Sequence, residues 1–325
     1  MPANSGHSSM DYYLGFDGGG TKTECVVMDA TDSVVGQATA GPSNPLRVGF
    51  EQAFSALATA AATALASADL VTRNVRAVCA GLAGAGRPSV AVQALAFLEQ
   101  NFPGSFVHVT TDLEVALEAA VGSGPGVVVI AGTGSAAYGR NAAGELARAG
   151  GHGPWIGDEG SAFDIGRRAV IAVACAKDLA APLPFLAQRI EAALGLSDWD
   201  ELVERMARNP DDVFPPLFPV VVEAAHEGDR IAQEILSSAA AELADLAAAV
   251  IGRLGLEKTE FVLAKSGGVF GHSVLLDAPF DGALRQLAPQ ADISFLSVSP
   301  AVGAARLAKR LASGLSSSAA YGAKV

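Results

Sequence analysis

One pattern occurs twice in this chain of 325 residues and constrains its fold more than any other feature. In each copy a short apolar run leads into a turn of glycine and threonine, and two more strand-like segments follow. The turns are Gly18–Thr21 and Gly132–Ser135, about 115 residues apart. Helices and strands alternate after each copy, which is typical of a mixed α/β fold. The repeat predicts two related domains whose turns meet at one ligand, with two unrelated hairpins as the alternative.

Hydrophobic periodicity and turn residues predict the individual elements. In the first part we predict strands 12–17, 24–29, 34–39, 75–80 and 106–109, with helices 50–68, 90–100 and one from 112. In the second part we predict strands 126–131, 136–140, one ending near 149, 260–264 and 293–297. The helices predicted there are 159–177, 184–194, 199–208, 229–254, one between the turn 265–268 and the strand 293–297, and 300–312.

Composition restricts the environment and the partners. The net charge of -12 and the pI near 4.8 disfavour nucleic acid and anionic membranes, because their phosphates would be repelled. Cys25, Cys79 and Cys175 form no CxxC pair and lie in apolar segments, so we interpret them as reduced core residues. Residues 1–10 lack the apolar region of a signal peptide, and the run 53–68 is too short to span a bilayer. We therefore expect a cytoplasmic protein.

The first turn, Asp17 to Thr23, has the chemistry of a phosphate-binding turn. Glycine permits positive φ and lets backbone N–H groups approach an anion closely, while the hydroxyls of Thr21 and Thr23 add donors. Lys22 lies on the outgoing strand, so the direction of its side chain stays open. Asp17 ends the first strand, where it could hold Mg²⁺ through water. A turn residue that hydrogen-bonds its own backbone is the alternative for Asp17.

Two other nucleotide motifs fit less well. A Walker loop would need lysine after Gly20, but Thr21 stands there, although Gly15 and Gly20 have the right separation. The second turn, Gly132–Ala137, matches GxGxxA after a strand. A dinucleotide-binding fold would need a helix to begin at once, whereas Tyr138 and the residues after it favour strand and turn.

Several segments of the chain together resemble the BadF/BadG/BcrA/BcrD-type ATPase family of the actin-like and sugar-kinase superfamily, and within it the N-acetylglucosamine kinases. The segments are GFDGGGTKTE (15–24), SNP (43–45), TTD (110–112), VVVIAGTGS (127–135), GGHGPWIGDEGSAFDIGR (150–167), SGGVF (266–270) and PAVGAARLA (300–308). They occur in family order over almost the whole chain, and only their combination is specific.

The resemblance implies an α/β fold of two RNase H-like (actin-like ATPase) domains with an interdomain cleft that closes over ATP and Mg²⁺. It implies an N-terminal domain of residues 1–118 closed by the C-terminal helix within 300–325. The C-terminal domain would then comprise residues 119–299 and carry a helical insertion.

The resemblance also implies roles for single residues in the first domain. Asp112, which follows an apolar strand and Thr110–Thr111, falls on the family's catalytic base and sugar contact. An aspartate there can orient a sugar hydroxyl and accept its proton during phosphoryl transfer. A helix N-cap is the alternative for Asp112. Asn44 falls on a sugar contact of the family, and its amide can both donate and accept, which suits neighbouring hydroxyls. A turn residue before proline is the alternative for Asn44.

The segment Gly151–Asp158 resembles the family's sugar loop. The sugar-binding residues expected in the second domain are Ser135, Ala136, Gly151, His152, Gly153, Asp158 and Glu159. Glu159 could instead favour the N-terminus of the helix that follows. The animal enzymes carry tryptophan where this chain has His152, which leaves the acetamide pocket and the sugar open. A loop histidine without a ligand is the alternative for His152.

The nucleotide contacts implied by the resemblance lie in three glycine turns. They are Gly18, Gly19, Gly20, Thr21, Lys22, Gly132, Thr133, Gly134, Gly267 and Gly268, with Asp17 as the residue for Mg²⁺. In the family, the turn at Gly267 lets the adenine or ribose lie close to the backbone. The alternative for Gly267 and Gly268 is structural: the turn into the following helix needs a residue with positive φ.

The implied function is ATP-dependent phosphorylation of an amino sugar, N-acetylglucosamine to its 6-phosphate, by a homodimer. Glucosamine or a muramic-type sugar is an alternative substrate. A redox-coupled ATPase of the same family is an alternative of another class, although no cysteine is suitably placed to hold a cluster. A nucleotide-binding regulator without phosphotransfer is a further alternative, and the presence of Asp112 argues against it.

Overall fold

The chain folds into two compact units, and the structure, a computed structural model, describes residues 11–179, 183, 185–196 and 198–318. Unit 1 takes Met1–Ser123 and Leu296–Val325, and unit 2 takes Gly124–Phe295. The sequence prediction placed the first boundary at 118/119, inside a helix that the structure keeps whole in unit 1. It placed the second at 299/300, a few residues beyond the end of unit 2.

Unit 1 is built on a five-stranded sheet. Its elements up to the boundary are β1 (Tyr12–Gly18), β2 (Thr23–Met28), β3 (Val34–Ala40), α1 (Pro45–Val48), α2 (Phe50–Ala66), a 3₁₀ turn (Thr72–Asn74), β4 (Val75–Leu82), α3 (Pro88–Asn101), β5 (Phe106–Thr110) and α4 (Asp112–Val121). The strand order is β3-β2-β1-β4-β5. The first three strands form an antiparallel meander, and β4 and β5 run parallel to β1.

Unit 2 repeats this sheet. Its elements are β6 (Gly126–Ala131), β7 (Ser135–Arg140), β8 (Leu146–Gly150), α5 (Ala162–Asp178), α6 (Phe185–Leu194), α7 (Trp199–Arg208), 3₁₀ turns (Pro210–Asp212 and Pro215–Leu217), α8 (Phe218–His226), α9 (Arg230–Leu254), β9 (Phe261–Ser266), α10 (Val274–Leu287) and β10 (Ala291–Phe295). The order β8-β7-β6-β9-β10 matches unit 1 strand for strand. The predicted α/β class with two related domains is confirmed.

The structure corrects the predicted elements in several places: helix α1 was not predicted, and the strand predicted at 293–297 lies at Ala291–Phe295. The helix predicted from residue 159 begins only at Ala162, because Ser161 caps it by accepting a hydrogen bond from the Asp164 N–H at 3.2 Å. The helix α8 was not predicted, because prolines surround its start and proline alone suggests a loop.

The longest helix, α9, is the centre of unit 2. By length and composition alone, it is one helix in the described ranges that could cross a membrane. Its apolar side chains, among them Leu236, Leu243 and Val250, are buried in the core of the unit. Asp229 caps the start of α9, and Gly255 ends the helix in the left-handed conformation. Both ends are those of an ordinary helix in a protein core.

The last helix, α11 (Pro300–Ser318), returns the chain to unit 1. It packs where small residues let backbones nearly touch: a Cβ on Gly15 of β1 would lie 2.0 Å from the Ala301 carbonyl oxygen. A Cβ on Gly303 would lie 2.2 Å from the carbonyl oxygen of Val115 in α4. Because α11 contacts β1 and α4 this closely, it fixes the two elements that lead into the candidate site of unit 1.

Candidate active site

The candidate residues of unit 1 follow parallel strands that end at one edge of the sheet. In the register, Asp17 of β1 lies beside Gly81 of β4, and Gly81 lies beside Thr110 of β5. The turn at residues 18–22 follows β1, and Asp112 comes two residues after the end of β5. The structure therefore brings the predicted phosphate turn, metal residue and base to the same edge of one sheet.

The first Gly/Thr turn is closed and anchored by its own backbone. The N–H of Gly19 donates to the Lys22 carbonyl at 2.9 Å, and the Gly19 carbonyl accepts from the N–H groups of Ser43 and Asn44 at 3.0 and 3.1 Å. Within the described part of the chain, we find no hydrogen bond that uses the amides of residues 20–22. These amides are donors of the kind that bind a phosphate.

Gly18 and Gly20 of this turn serve close packing, and none of its three glycines needs a positive φ, which was one reason proposed for glycine there. Gly18, Gly19 and Gly20 all have φ outside the positive range. A Cβ on Gly18 would lie 2.3 Å from Ser43 Oγ, and one on Gly20 would lie 2.6 Å from Arg47 Nη1. Sequence reasoning missed both contacts, although Ser43 belongs to the matched SNP segment (43–45) and Arg47 follows it by two residues.

The two threonines of the turn have different environments. Thr23 is fully buried, and its Oγ1 lies 2.7 Å from both the Gly41 carbonyl oxygen and Ser43 Oγ. The prediction of a phosphate donor at Thr23 is therefore wrong, because that hydroxyl ties the turn to the neighbouring segment. Thr21 and Lys22 are exposed and remain candidates for contact with a ligand.

Asp112 is the first residue of α4, and it is not the N-cap. The cap is Thr111, whose Oγ1 accepts a hydrogen bond from the Glu114 N–H at 3.3 Å. Asp112 Oδ1 accepts from the Leu113 N–H at 3.0 Å. The N-cap interpretation of Asp112 is wrong, because the preceding threonine already performs that function. The carboxylate is instead oriented at the helix N-terminus, where negative charge is favoured.

Asp17 has a strongly perturbed acidity. Burial, followed by the negative charges of Asp112 and Glu24, raises the pKa of Asp17 to about 7, against a smaller opposing effect of Lys22. The contribution of Asp112 places the two carboxylates within electrostatic reach of each other. Such a pair attracts a cation.

The donor set at Asp17 fits Mg²⁺ only if water and phosphate oxygens complete it. The described residues contain no group of three or more His, Cys, Asp or Glu side chains that could hold a metal ion. Mg²⁺ commonly takes only one or two carboxylates and keeps waters and substrate phosphates as its other ligands. The negative environment of Asp17 is consistent with that kind of site.

Asn44 is a helix cap in the structure. Its Oδ1 accepts a hydrogen bond from the Leu46 N–H at 3.1 Å, at the start of α1. This contact agrees with the interpretation of Asn44 as a turn residue before proline. It uses one acceptor position of the side-chain amide oxygen. A sugar contact at Asn44 stays a prediction that would use its Nδ2 donor.

In unit 2, the second Gly/Thr turn and the Gly267 turn follow neighbouring parallel strands. Ile130 of β6 lies beside Ser266 of β9, so both turns leave the same edge of the sheet. A Cβ on Gly267, whose φ is +96, would lie 2.3 Å from the Ala131 carbonyl oxygen. That oxygen also accepts from the Val269 N–H at 3.0 Å. Only glycine fits this conformation and this approach together.

The second turn is closed in the same way as the first. The Gly132 N–H donates to the Gly134 carbonyl at 2.9 Å, and the Gly132 carbonyl accepts from the Ala162 N–H at 2.8 Å, which ties the turn to the start of α5. The described residues provide no hydrogen-bond partner for the amides of Thr133 and Gly134. The two units therefore each present a Gly/Thr turn with unused backbone donors.

Asp158 lies against this second turn. It is buried, and its Oδ2 lies 2.7 Å from where a Cβ on Gly134 would stand. The N–H groups of Gly153 and Ser135 donate to the carboxylate and lower its pKa, but burial is the larger effect and the pKa is raised overall. Asp158 also has φ of +61, which is unusual for a residue other than glycine and marks a constrained position.

The predicted sugar loop is anchored on Ser135. The Gly151 N–H donates to the Ser135 carbonyl at 2.8 Å, and Ser135 Oγ donates to the Glu159 carbonyl at 2.7 Å. The side chains of Ser135 and Ala136 are buried, so they support the loop. Glu159 is exposed and precedes α5, because Ser161 is the cap of that helix.

The outer part of the loop is exposed and apolar. Trp155 and Ile156 are 74% and 78% exposed, and His152 is exposed beside them. Sequence reasoning noted Trp155 only by its distance from His152. Two large apolar residues, Trp155 and Ile156, lie between Gly153 and Gly157, and this pattern could have indicated an exposed apolar surface on the loop.

The cysteines only partly follow the prediction. Cys25 and Cys79 are buried core residues, and burial raises the pKa of both thiols. Cys175 is exposed on α5, so the prediction of a core position is wrong there. The apolar sequence around it belongs to an amphipathic helix whose outer face carries this cysteine.

Comparison with known proteins gives a consistent result over nearly the whole chain. The profile of the BadF/BadG/BcrA/BcrD ATPase family matches residues 14–308. The N-acetylmuramic acid/N-acetylglucosamine kinase of Clostridium acetobutylicum is 32% identical over 92% of this chain and 99% of its own. The N-acetyl-D-glucosamine kinase of Dictyostelium discoideum is 32% identical over 92% of this chain and 98% of its own.

A solved structure agrees with the fold. A protein of Chromobacterium violaceum, described as a candidate N-acetylglucosamine kinase, superposes with a TM-score of 0.74 at 24% identity, over 92% of this chain and 99% of that one. With the matching strand orders, this similarity confirms the predicted fold of RNase H-like, actin-like ATPase type.

Proposed function

The chain belongs to the BadF/BadG/BcrA/BcrD ATPase family, and we propose that it is an ATP-dependent kinase that phosphorylates N-acetylglucosamine on its 6-hydroxyl. The single observation that carries this proposal is the place of Asp112. The residue lies at the sheet edge where the first Gly/Thr turn begins, and its charge acts on Asp17. An acceptor alcohol and a polyphosphate would both need groups at such an edge.

Asp112 is the proposed base. Phosphoryl transfer depends mainly on positioning the nucleophilic hydroxyl and on accepting its proton late in the reaction. The Asp112 carboxylate would accept a hydrogen bond from the sugar hydroxyl and then its proton. Thr111 caps α4, so the Asp112 carboxylate is not the cap and lies beside the first turn of the helix. Asn44 and Asp158, with Glu159 and the backbone at Gly151–Gly153, are the other proposed sugar contacts.

The Gly/Thr turns are the proposed phosphate contacts. The unused amides at residues 20–22 and at residues 133–134 would bind phosphate oxygens of ATP, and Lys22 would add positive charge. The Gly267–Gly268 backbone would lie against the adenine or ribose. Asp17 is the residue that would hold Mg²⁺, which when bound offsets phosphate charge.

The second substrate to consider is a muramic-type sugar. The observation that favours it is the similarity to the Clostridium acetobutylicum protein, whose name includes N-acetylmuramic acid as well as N-acetylglucosamine. His152 departs from the tryptophan of the animal enzymes in the loop that would contact the acetamide. A different residue there is consistent with a pocket that admits a bulkier amino sugar.

A coupled ADP-release assay with ATP and Mg²⁺ tests the function directly. The sugars to compare are glucose, glucosamine, N-acetylglucosamine and N-acetylmuramic acid. We expect release that depends on N-acetylglucosamine, with or without activity on N-acetylmuramic acid. ADP release that is independent of every sugar would contradict the kinase proposal and favour an ATPase coupled to another process.

We further propose that the protein is a cytoplasmic homodimer that binds neither membranes nor nucleic acid. The net charge of -12 supports the absence of polyanionic partners. Exposed apolar side chains in the helical part of unit 2, such as Leu179 and Phe185, support self-association. Light scattering coupled to size exclusion measures the mass, and a monomer at micromolar concentration would contradict the dimer.

A further inference from the structure

We propose that Lys265 and Asp277 form a clamp that positions the Gly267–Gly271 segment for nucleotide binding. The inference deepens the proposed function, because it assumes that this segment contacts ATP. It concerns positioning residues, since no atom of the clamp needs to touch the nucleotide.

Lys265 is a charged side chain inside unit 2. It lies on β9, directly before Ser266, and its side chain is only 3% exposed. Its Nζ lies 3.1 Å from Asp277 Oδ1 and 2.9 Å from Asp281 Oδ1, both on α10. A buried ammonium is costly unless it is paired and hydrogen-bonded, so the two aspartates account for its presence.

Aromatic rings enclose the same ammonium. Nζ lies 4.3 Å from the ring centroid of Phe295 and 5.8 and 5.9 Å from those of Phe270 and Phe280. The rings add cation–π attraction and exclude water, which strengthens the ion pairs. Phe270 belongs to the segment itself. The Lys265 ammonium therefore contacts the segment through the Phe270 ring, in addition to the contact that Asp277 of α10 makes.

Asp277 connects the cluster to the backbone of the segment. Its Oδ1 pairs with Lys265, and its Oδ2 accepts a hydrogen bond from the Gly271 N–H at 2.9 Å. In the middle of the segment, the Val269 N–H donates to the Ala131 carbonyl. Asp281 pairs with the same ammonium, and none of its hydrogen bonds in the described residues reaches the segment.

The segment needs such a clamp because its backbone is intrinsically permissive. Gly267 and Gly271 have φ of +96 and +84, and Gly268 lies between them. Glycine loses more conformational freedom on ordering than any other residue, so an unclamped segment would lose that freedom when a nucleotide binds. A segment ordered in advance binds more tightly.

The structure offers a matched pair of variants, Asp277→Ala and Asp281→Ala. Each removes one carboxylate from the same ammonium and from the same helix, but only Asp277→Ala releases Gly271. Calorimetry would measure the Kd of the full-length protein for ATP with Mg²⁺ and without sugar. We expect a rise of about tenfold in Asp277→Ala and less than about threefold in Asp281→Ala.

Hydrogen exchange provides a readout that is independent of activity. Amides in peptides that cover residues 266–274 should exchange faster in Asp277→Ala than in Asp281→Ala, although both lose a similar amount of thermal stability. The KM for the sugar should stay within about twofold in both variants.

The outcomes separate this inference from the proposed function. Equal weakening of ATP binding in both variants, with equal exchange, would contradict the clamp and indicate a purely structural cluster. An unmodified protein that binds ATP and phosphorylates sugar would leave the proposed function intact in that case. An unmodified protein that binds no ATP would contradict the proposed function, and the clamp would fail with it.

Discussion

At the sheet edge of unit 1, two carboxylates are held where their charges repel each other. The backbone of Asp17 belongs to β1 and that of Asp112 to α4. Burial and this repulsion raise the pKa of Asp17 to about 7. Such perturbed groups cluster at functional sites, since chemistry requires charge where folding alone would avoid it.

The first prediction at this scale concerns Asp112→Asn. The amide cannot accept the proton of the sugar hydroxyl, so we expect turnover to fall by about two to four orders of magnitude while ATP still binds. ADP release measures turnover and calorimetry measures ATP affinity. Asp69→Asn is the matched control, because Asp69 is exposed on the same unit and its positive φ suits asparagine equally. Full sugar-dependent turnover in Asp112→Asn would remove Asp112 from the mechanism.

The second prediction concerns pH in magnesium-free buffer. Asp17 has its pKa raised from 3.8 to about 7, so between these values the folded protein holds a proton that the unfolded chain has lost. Raising the pH through this window therefore destabilises the folded state, and Asp17→Asn removes that contribution. We expect the stability advantage of Asp17→Asn over the unmodified protein to grow from about pH 5 to about pH 8 in urea unfolding. An advantage that is constant with pH would contradict the raised pKa of Asp17.

Among the elements, α11 shows most clearly how packing controls the site. This helix follows every other described element in the chain, yet it packs against β1, and Gly15, Ala301 and Ala305 let the two backbones approach closely. An ion pair between Arg310 and the buried Glu118 of α4 fixes its direction. Because α4 begins with Asp112, a shift of α11 would also move the proposed base.

The third prediction compares two glycines of α11. Gly303→Ala would force a Cβ against the Val115 carbonyl oxygen at 2.2 Å, so we expect a loss of about 1–3 kcal/mol or more in the free energy of unfolding. Gly314→Ala meets no atom within 4 Å and should stabilise the helix by about 0.5–1 kcal/mol. Chemical denaturation of both variants measures the difference. Similar stabilities for the two would show that α11 does not approach α4 this closely.

At the scale of the whole molecule, the two units differ in continuity. Unit 2 is formed by one uninterrupted stretch, whereas unit 1 needs the last part of the chain to complete its core. The cluster that contains Ala301, Ala304 and Ala308 of α11 also contains Tyr13 and Cys79. Unit 1 therefore cannot form its full core before the end of the chain is present.

The fourth prediction follows from this discontinuity. A fragment of residues 124–295 should unfold cooperatively, because it contains every strand of its sheet and its own core. A fragment of residues 1–123 should not, because α11 is missing and β1 would expose the apolar face that the helix covers. Circular dichroism during heating measures both. Cooperative unfolding of the fragment 1–123 by itself would contradict the proposed contribution of α11.

Most elements could be predicted because their signals are local. The antiparallel meanders came from alternating apolar residues and turn glycines, and α7 (Trp199–Arg208) was predicted with its observed bounds. A single side chain decided the start of α5, where Ser161 is the cap, and it also decided between the two interpretations of Asp112, because Thr111 is the cap of α4. Sequence signals place such boundaries only to within a few residues.

The sequence by itself determined the repeated α/β pattern, the two Gly/Thr turns and the family, because turn chemistry, periodicity and motif order are properties of neighbouring residues. Only the tertiary structure decided that Thr23 is buried, that Asp17 is hard to ionise and that Lys265 lies between two aspartates. These facts depend on residues far apart in the chain. The energies of burial and charge are set by such neighbours in space, which the order of residues does not state.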